Sequence, residues 1–254
     1  MHYQFAKERP DYSDFASGRV FYSLPGHPAF PIRLADEILQ RCLAKREANH
    51  VIGPCVLYDP CCGAAYHLSV LACLHWNSFR KVIGSDIDQK AVNVAQKNLG
   101  LLSVEGLDKR ISEISEMFRL YGKESHKEAL DSAHRLRDRI GTLTREHHLM
   151  TRVFQASALD SEELRVSLKG ITVDIVFVDV PYGLHSQWRN PDTNSELDNS
   201  LWRMLNALVG VLVPTSIVAV VSDKRQKASY EGYQGIEQFQ MGKRRVTLLK
   251  PTAG

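Results

Sequence analysis

Apolar residues along the chain follow two alternating patterns: short continuous runs, and longer stretches in which they recur every three or four residues. The runs in HVIGPCVLYDP, KVIGSDID, RVFQASALD, TVDIVFVDVPYG and SIVAVVSD predict buried strands, each followed by an exit loop. The stretches between them, for example IRLADEILQRCLAK and QKAVNVAQKNLGLL, predict amphipathic helices. Strands that alternate with helices indicate a parallel sheet that is covered on both faces.

The C-terminal tail departs from this alternation. In IEQFQMGKRRVTLLK two strand-like runs are joined at Gly242, and strands joined by a short turn pair antiparallel. The whole pattern therefore predicts an α/β fold with a mostly parallel, seven-stranded sheet and helices on both faces.

A second departure covers residues 103–151. The sequences ISEISEMFRLYG and HKEALDSAHRLRDRIGTL are charged, amphipathic and free of proline, so they predict a helical insertion of two helices. Because its opposite charges nearly balance, the insertion is either an exposed helical hairpin or an arm that grips a substrate. Both interpretations stay open.

Length and composition are those of an ordinary globular protein. The 254 residues are 44% hydrophobic and 24% charged, which suits one domain over residues 1–254, with two smaller domains as the alternative. No apolar run approaches the ~20 residues that span a bilayer, and the N-terminus has no apolar signal core. We therefore expect a cytoplasmic protein that does not contact membranes.

The net charge of +3 says little about partners, but the basic residues are unevenly placed. From Ser222 onward lysines and arginines outnumber acids, notably at Lys224, Arg225 and the KRR sequence that begins at Lys243. Such an excess is either the solvated surface of a basic protein or a surface that docks an acidic polymer.

The cysteines favour packing over chemistry. There are five, at positions 42, 55, 61, 62 and 73, with no repeated C-x-x-C spacing. An odd number without a secretion signal argues against a disulfide framework. Adjacent cysteines can hardly share one tetrahedral zinc site, and no H-x₃₋₅-H pair stands at the usual spacing from them. We therefore expect no metal site and interpret the cysteines as small packing residues.

Ligands of an open α/β sheet bind beyond the carboxyl ends of its strands, so the loops after the predicted strands are the candidate site. The first loop reads DPCCGAAY and begins at Asp59. Its small residues let the backbone approach a ligand closely. It lacks the G-x-G-x-x-G pattern of dinucleotide sites, and Asp59 would repel a pyrophosphate but attract an amino-acid ammonium. This favours S-adenosylmethionine over NAD, with an ordinary strand-to-helix turn as the alternative.

The second and third loops add candidates for binding a nucleoside. Asp86, about 20 residues after the first loop, can accept the hydroxyls of a ribose, whereas Asp88 can equally cap the next helix. Ile87 is suited to pack on an adenine face. Ser157, followed by Ala158, can reach the adenine edge, although a serine in a loop is more often a turn former.

The fourth loop reads DVPYG. A carboxylate at the end of a buried strand is costly without partners, which makes Asp179 the leading candidate for chemistry. Pro181 restricts the backbone, and Tyr182 offers a ring that can stack on a base. The alternative is a turn with an aromatic side chain packed beneath it.

Together, DPCCGAAY, GSDID, the alanine-rich third loop and DVPYG resemble the class I S-adenosylmethionine-dependent methyltransferases. DVPYG is similar to the D/N-P-P-Y/F motif of enzymes that methylate nitrogens of bases. A closer resemblance, across nearly the whole chain, is to the avilamycin-resistance 23S rRNA methyltransferase family. It rests on SLPGHPAFPIRLADEILQR, LYDPCCGAAYHLSVLACLH, SDID, KNLGLLS and FVDVPYG. Val180 departs from the D/N-P-P-Y/F motif, in which a proline stands at that position. The departures from the closer family are Ser157 for an acid, and Ala64 and Ala65 for a glycine-like turn.

The resemblance implies a Rossmann-like methyltransferase domain whose N-terminal segment, residues 1–50, covers substrate or cofactor. It implies S-adenosylmethionine as cofactor, N1 of a guanine in 23S rRNA as target, and antibiotic resistance as the consequence for the cell. Asp179, Pro181 and Tyr182 would act at the base. The expected cofactor-binding residues are Asp59, Cys62, Gly63, Ala65, Asp86, Ile87, Ser157 and Ala158.

Ribosomal RNA or the large ribosomal subunit is the expected partner of a monomeric protein. RNA would be held chiefly through its phosphates. The candidate RNA-binding residues are Arg19, Trp188, Lys224, Arg225, Lys243, Arg244 and Arg245. The alternatives are a methyltransferase of the same fold that acts on another RNA base, a protein glutamine or a small molecule, and a non-catalytic RNA-binding protein. A nicotinamide oxidoreductase is disfavoured because the glycines are missing.

Overall fold

The computed structural model describes residues 3–180, 196–224 and 231–252, which form a seven-stranded sheet with helices on both faces. The strands are β1 (Cys55–Asp59), β2 (Phe79–Asp86), β3 (Met150–Gln155), β4 (Val173–Asp179), β5 (Leu212–Asp223), β6 (Tyr233–Met241) and β7 (Arg244–Pro251). Their order is β3-β2-β1-β4-β5-β7-β6. Neighbours among β1 to β5 are parallel, whereas β7 is antiparallel to both β5 and β6. The predicted α/β fold with an antiparallel closing pair is confirmed.

Helices precede β1 and connect the successive strands from β1 to β5. They are α1 (Ile32–Ala48), α2 (Tyr66–Leu74), α3 (Gln89–Gly100), α4 (Val104–Tyr121), α5 (Glu124–Glu146), α6 (Ser161–Ser167) and α7 (Glu196–Val209). Short 3₁₀ turns cover Ser13–Phe15 and Trp76–Ser78. None of the helices in the described ranges is long and apolar enough to cross a membrane.

The sheet separates two hydrophobic layers. Along β1 the side chains alternate: Leu57 belongs to the layer formed with α1 to α5, whereas Val56 and Tyr58 belong to the layer formed with α6 and α7. Helices cover both faces of the sheet here, so every residue of β1 is buried. A strand buried on both faces shows a continuous apolar run, which is the pattern that predicted it.

The inserted helices α4 and α5 form a hairpin that turns at Gly122, where φ is +59°. Its inner face is apolar and buried in the core, at residues such as Leu107, Ile114 and Ile140. Its polar side chains also hold the N-terminal residues, since Arg135 pairs with Asp14 (2.5 Å). The hairpin is therefore half-buried and braces the N-terminal segment, a role that neither sequence interpretation included.

The first residues of the described chain are anchored by a buried carboxylate on α1. Glu37 is fully buried and accepts hydrogen bonds from the backbone amides of residues 4, 5 and 6, at 2.7 to 2.8 Å. Arg41, one turn later, donates to the same carboxylate (2.5 Å). Burial raises the pKa of Glu37, but the hydrogen bonds from the amides and Arg41 together lower it by a larger amount. The net pKa is therefore below its usual value.

Candidate active site at the carboxyl ends of the strands

The loop after β1, residues 60–65, is a series of tight backbone turns. The amide of Cys61 donates to Asp59 Oδ1 (2.9 Å), and the amide of Cys62 donates to the carbonyl of Ser85 on β2 (2.9 Å). Gly63 and Ala65 both adopt left-handed conformations, with φ of 53° and 52°. An alanine in this region costs about 1–2 kcal/mol, so the surrounding contacts must hold the turn in place.

Gly84 on β2 provides the space that this loop needs. A Cβ atom at Gly84 would lie 2.9 Å from Cys62 Sγ and 3.1 Å from Cys62 Cβ. The thiol of Cys62 is buried, and burial raises its pKa well above the usual value, so it stays uncharged. Cys62 therefore packs the loop against β2, as the sequence analysis expected of the cysteines. All five cysteines are unpaired, and within the described ranges no cluster of histidine, cysteine or acidic residues could hold a metal ion.

Asp86, the last residue of β2, joins the first and second loops. Its Oδ2 accepts from the amide of Gly63 and its Oδ1 from the amide of Asp88, both at 2.9 Å. Burial raises the pKa of the Asp86 carboxyl, and the two amides counteract part of that rise. Each carboxylate oxygen keeps a further lone pair, so Asp86 can still accept ribose hydroxyls. Asp88 caps α3 by accepting from the amide of Lys90 (2.9 Å).

Asp59 is completely buried beneath the loop, beside a histidine that the sequence analysis did not select. His67, in the first turn of α2, places its Nε2 3.1 Å from Asp59 Oδ2. That distance suits an ion pair, but the angles do not suit a hydrogen bond, and neither atom has a hydrogen-bond partner among the described residues. A buried carboxylate oxygen without a donor is costly. A bound ammonium group is the kind of donor that Asp59 lacks.

The third loop lies beside the second. The amide of Ala156 donates to the carbonyl of Asp86 (3.1 Å), which holds the two loops together. The hydroxyl of Ser157 accepts from the amide of Leu159 (3.3 Å), so Ser157 has the turn-forming role that the sequence left open. Ile87 in the second loop is 44% exposed, as a side chain that packs against an apolar ligand face would be.

Asp179 ends β4 at the same edge of the sheet. β4 lies next to β1, with Tyr58 level with Val176, and Asp179 is level with Val221 on β5. The amide of Val180 donates to the carbonyl of Val221 (3.0 Å), so Val180 still pairs with β5. Pro181, Tyr182 and Trp188, as well as Arg225, lie outside the described residues.

The basic residues near the C-terminus border this edge as well. Because β7 runs antiparallel to β5, its first residue, Arg244, is level with Asp223 at the end of β5. The amide of Lys224 donates to the carbonyl of Lys243 (3.2 Å), and both lysines are exposed. The guanidinium of Arg244 lies 5.3 Å from the ring centre of Phe30.

Arg19 lies elsewhere and is already engaged. Its guanidinium pairs with Glu128 on α5 (2.9 Å) and is 28% exposed. A phosphate would have to compete with that carboxylate, so Arg19 is a weaker candidate for RNA than the two exposed lysines.

The fold thus brings together most of the predicted site residues that it describes. Asp59, Asp86 and Asp179 end three neighbouring strands of the sheet, β1, β2 and β4. The loops that follow these strands and β3 hold the other described cofactor candidates, Cys62, Gly63, Ala65, Ile87, Ser157 and Ala158. Between β1 and β4 the chain order of the strands reverses, which is where open α/β sheets bind ligands.

Sequence reasoning missed three residues of this region. His67 faces Asp59, and its signal was a histidine in a mostly apolar helix. A Cβ atom on Gly63 would lie 3.4 Å from His27 Nδ1, so the N-terminal segment reaches the loop. Asn98 on α3 hydrogen-bonds both the loop and that segment.

Comparisons with known proteins give the family and the fold. The family model described as "RRNA methyltransferase AviRa" matches residues 1–244. The chain is 39% identical over 249 residues to the Streptomyces viridochromogenes protein named "23S rRNA (guanine(2535)-N(1))-methyltransferase", covering 98% of this chain and 95% of that protein. The solved structure of "rRNA methyltransferase aviRa" from the same organism has a TM-score of 0.86 at 37% identity, over 98% of this chain and 96% of that one. TrmN from Thermus thermophilus, at 15% identity and a TM-score of 0.53 over 89% of this chain and 50% of that one, shares the fold.

Proposed function

The chain belongs to the AviRa family of rRNA methyltransferases, and we propose that it methylates the N1 nitrogen of a guanine in 23S rRNA, with S-adenosylmethionine as methyl donor. The observation that carries this proposal is the 39% identity over 98% of the chain to a protein named for that reaction. The row of acids at the ends of β1, β2 and β4 supports it independently, because its chemistry suits the cofactor and the base.

The described residues fit S-adenosylmethionine. The cofactor supplies a methyl group on a positively charged sulfur, and it also carries an ammonium, a carboxylate and an adenosine. Asp59, with one carboxylate oxygen that lacks a donor, would balance the ammonium from beneath the loop. Asp86 would accept the ribose hydroxyls, and Ile87 would cover the adenine. The small residues Gly63 and Ala65 leave room for close approach of the backbone.

Alignment is the main task of the protein in such a transfer. Methyl transfer is an in-line displacement, so much of the barrier is lowered by holding donor and acceptor in line. The N1 nitrogen of guanine carries a proton and has a usable lone pair only when that proton is shared or removed. Asp179 would accept the proton or bind the neighbouring amino group. Pro181 would fix the turn, and Tyr182 would stack on a base turned out of its helix.

We propose that Lys224 and Lys243 bind RNA phosphates. Both are exposed, their backbones are hydrogen-bonded to each other, and they lie beside the edge that carries Asp179. Arg244, Arg245, Arg225 and Trp188 remain candidates for the same surface, and Arg19 is a candidate only if its pair with Glu128 opens. These contacts would position the RNA rather than read its sequence.

The organisation of the chain is proposed on the same grounds. Residues 1–254 would act as one monomeric methyltransferase domain in the cytoplasm, in which residues 1–50 cover substrate or cofactor and 103–151 form the helical insertion. Its modification of 23S rRNA would lower the sensitivity of the ribosome to avilamycin-type antibiotics.

Mass-spectrometric mapping of methyl groups tests the proposed reaction. 23S rRNA from cells with the active gene should carry a methyl group on N1 of one guanine, and rRNA from cells with the Asp179→Asn variant should lack it. Purified protein should transfer labelled methyl groups to free 23S rRNA or to the large subunit. Label that appears in protein or small molecules, or binding of RNA without transfer, would refute the proposal in favour of the other functions considered above.

A further inference from the structure

Asn98, in the last turn of α3, connects two parts of the candidate site through one side chain. Its Oδ1 accepts from the amide of Tyr22 (2.8 Å), and its Nδ2 donates to the carbonyls of Tyr22 (2.9 Å) and Ala64 (2.8 Å). The side chain is fully buried. Asn98 therefore ties the N-terminal segment to the loop after β1 in a place that water does not reach.

The chemistry of this position requires an uncharged amide. Both N–H donors of Asn98 face carbonyl oxygens, and its oxygen faces an N–H, so a reversed amide would set oxygen against two carbonyls. Glutamine is longer by one methylene group and does not fit a fully buried site without displacement. An aspartate has the same size but has no donors when it is ionised.

The bond to Ala64 acts on the most constrained part of the loop. Ala64 stands between Gly63 and Ala65, which both have left-handed backbones. The amide of Gly63 donates to Asp86, and the amide of Ala65 donates to the carbonyl of Cys62 (2.7 Å). The carbonyl of Ala64 is the group of this turn that Asn98 holds, so Asn98 fixes the peptide plane that leads from Ala64 into the left-handed Ala65.

The hydrogen bonds from Asn98 to Tyr22 hold the N-terminal segment next to the loop. Tyr22 is also held from its other side, because its hydroxyl donates to Glu113 on α4 (2.6 Å) and the guanidinium of Arg110 lies 4.2 Å from its ring centre. A few residues further along, His27 reaches the space over Gly63. The inserted hairpin thus holds Tyr22 on one side, and Asn98 connects the segment to the loop.

We infer that Asn98 is a positioning residue for the cofactor, a role that rests on the proposed function. Its hydrogen bonds go to backbone groups of Tyr22 and Ala64; it holds the loop conformation in which Gly63 meets Asp86, and it holds the N-terminal segment next to that loop. The consequence is a specific kinetic signature. Loss of Asn98 should weaken cofactor binding, whereas the rate at saturating cofactor should change little, because the aligned groups at the base are untouched.

Binding and kinetics of two variants test this inference. We expect Asn98→Ala and Asn98→Asp each to raise the Kd for S-adenosylhomocysteine, measured by calorimetry, and the KM for S-adenosylmethionine at least about tenfold, the factor that corresponds to one buried hydrogen bond left unmade. The kcat on 23S rRNA should stay within about threefold of the wild-type value. Exchange of the Tyr22 amide with deuterium should accelerate in Asn98→Ala.

Ser216→Ala is the matched control. Ser216 is also fully buried and also bonds two backbone groups, since it accepts from the amide of Val213 (2.9 Å) and donates to the carbonyl of Val173 (2.7 Å). These groups lie at the other end of the strands, where β4 and β5 begin. Its loss should lower stability but leave cofactor affinity unchanged. Equal weakening by Ser216→Ala would mean that general loosening explains the effect, and it would overturn the inference.

The remaining outcomes separate the inference from the function on which it rests. Wild-type protein that binds no cofactor would overturn the proposed function itself. Normal wild-type binding together with unchanged Asn98 variants would overturn the role of Asn98 alone. If Asn98→Ala does not fold, Asn98→Asp decides, because protonation of its buried carboxyl restores one donor. The affinity of Asn98→Asp for S-adenosylhomocysteine, relative to that of the wild type, should then improve as the pH falls. A relative affinity that does not change with pH would refute the positioning role of Asn98.

Discussion

The close approach of Gly84 and Cys62 gives a sharp prediction about how the loop after β1 is held. In Gly84→Ala the new methyl carbon would lie 2.9 Å from Cys62 Sγ, although non-bonded heavy atoms prefer ~3.5–4.0 Å. A rotation of the thiol would relieve only part of the overlap, because Cys62 Cβ lies at 3.1 Å from the same position. The backbone of Cys62 cannot move freely, since its amide donates to Ser85 and its carbonyl accepts from Ala65.

Overpacking of this kind costs about 1–3 kcal/mol, from which the reduced flexibility of the unfolded chain returns about 0.4–1 kcal/mol. We therefore expect Gly84→Ala to lower the free energy of unfolding by about 1–2 kcal/mol, measured by urea denaturation. Cys62→Ala alone should cost about 1 kcal/mol as a small buried deletion. In the double variant the sulfur atom is absent, so the combined destabilisation should fall short of additivity by about 1 kcal/mol.

Gly235→Ala is the control for this measurement. Gly235 also lies in a strand, β6, but nothing lies within 4 Å of a Cβ atom placed there. Its replacement should leave the stability within about 0.5 kcal/mol of wild type. Additivity of Gly84→Ala and Cys62→Ala within about 0.3–0.5 kcal/mol would refute the claim that these two residues compete for the same space.

Two further predictions concern Glu37, which anchors the N-terminal residues, and the exposed lysine Lys243. The pKa of Glu37 is lowered by folding, so its contribution to stability is complete above the unfolded value of about 4.5 and is lost as the pH falls through the folded value. Glu37→Gln should abolish that acid-dependent loss in urea midpoints measured against pH, and an unchanged profile would contradict the anchor. The exposed Glu47→Gln, on the same helix, serves as control. Lys243→Glu should weaken binding to 23S rRNA and reduce the slope of log affinity against log salt by roughly 0.7–0.9 for each phosphate that is no longer neutralised. Lys250→Glu, near the far end of β7, should do neither, and equal effects of the two changes would exclude a localised phosphate site.

Relations between residues that are close in sequence could be predicted. The order of strands and helices follows from the spacing of apolar residues, because a strand buried on both faces and an amphipathic helix impose different periods on the side chains. The residues that end the strands can be identified from local sequence as well. Once β1, β2 and β4 are recognised, the geometry of parallel sheets places Asp59, Asp86 and Asp179 at one edge. Asp88 as a helix cap follows from the same kind of local argument.

The insertion was predicted only in part. Two amphipathic helices could be inferred from residues 103–151, but the partner of their apolar face could not. That partner is the rest of the core and the N-terminal segment, more than 100 residues earlier in the case of Asp14 and Arg135. A balanced charge pattern does not distinguish pairs within a hairpin from pairs that it makes with a distant segment.

The sequence by itself determined the fold class, the family and the edge of the sheet at which the proposed site lies, because all three depend on local patterns. Tertiary structure alone decided which groups support that edge. His67 beside Asp59, Cys62 against Gly84, and Asn98 between Tyr22 and Ala64 each join residues that different elements carry. The physical reason is that a buried hydrogen bond or a close packing contact depends on distance and angle in space, and no periodicity along the chain encodes either quantity.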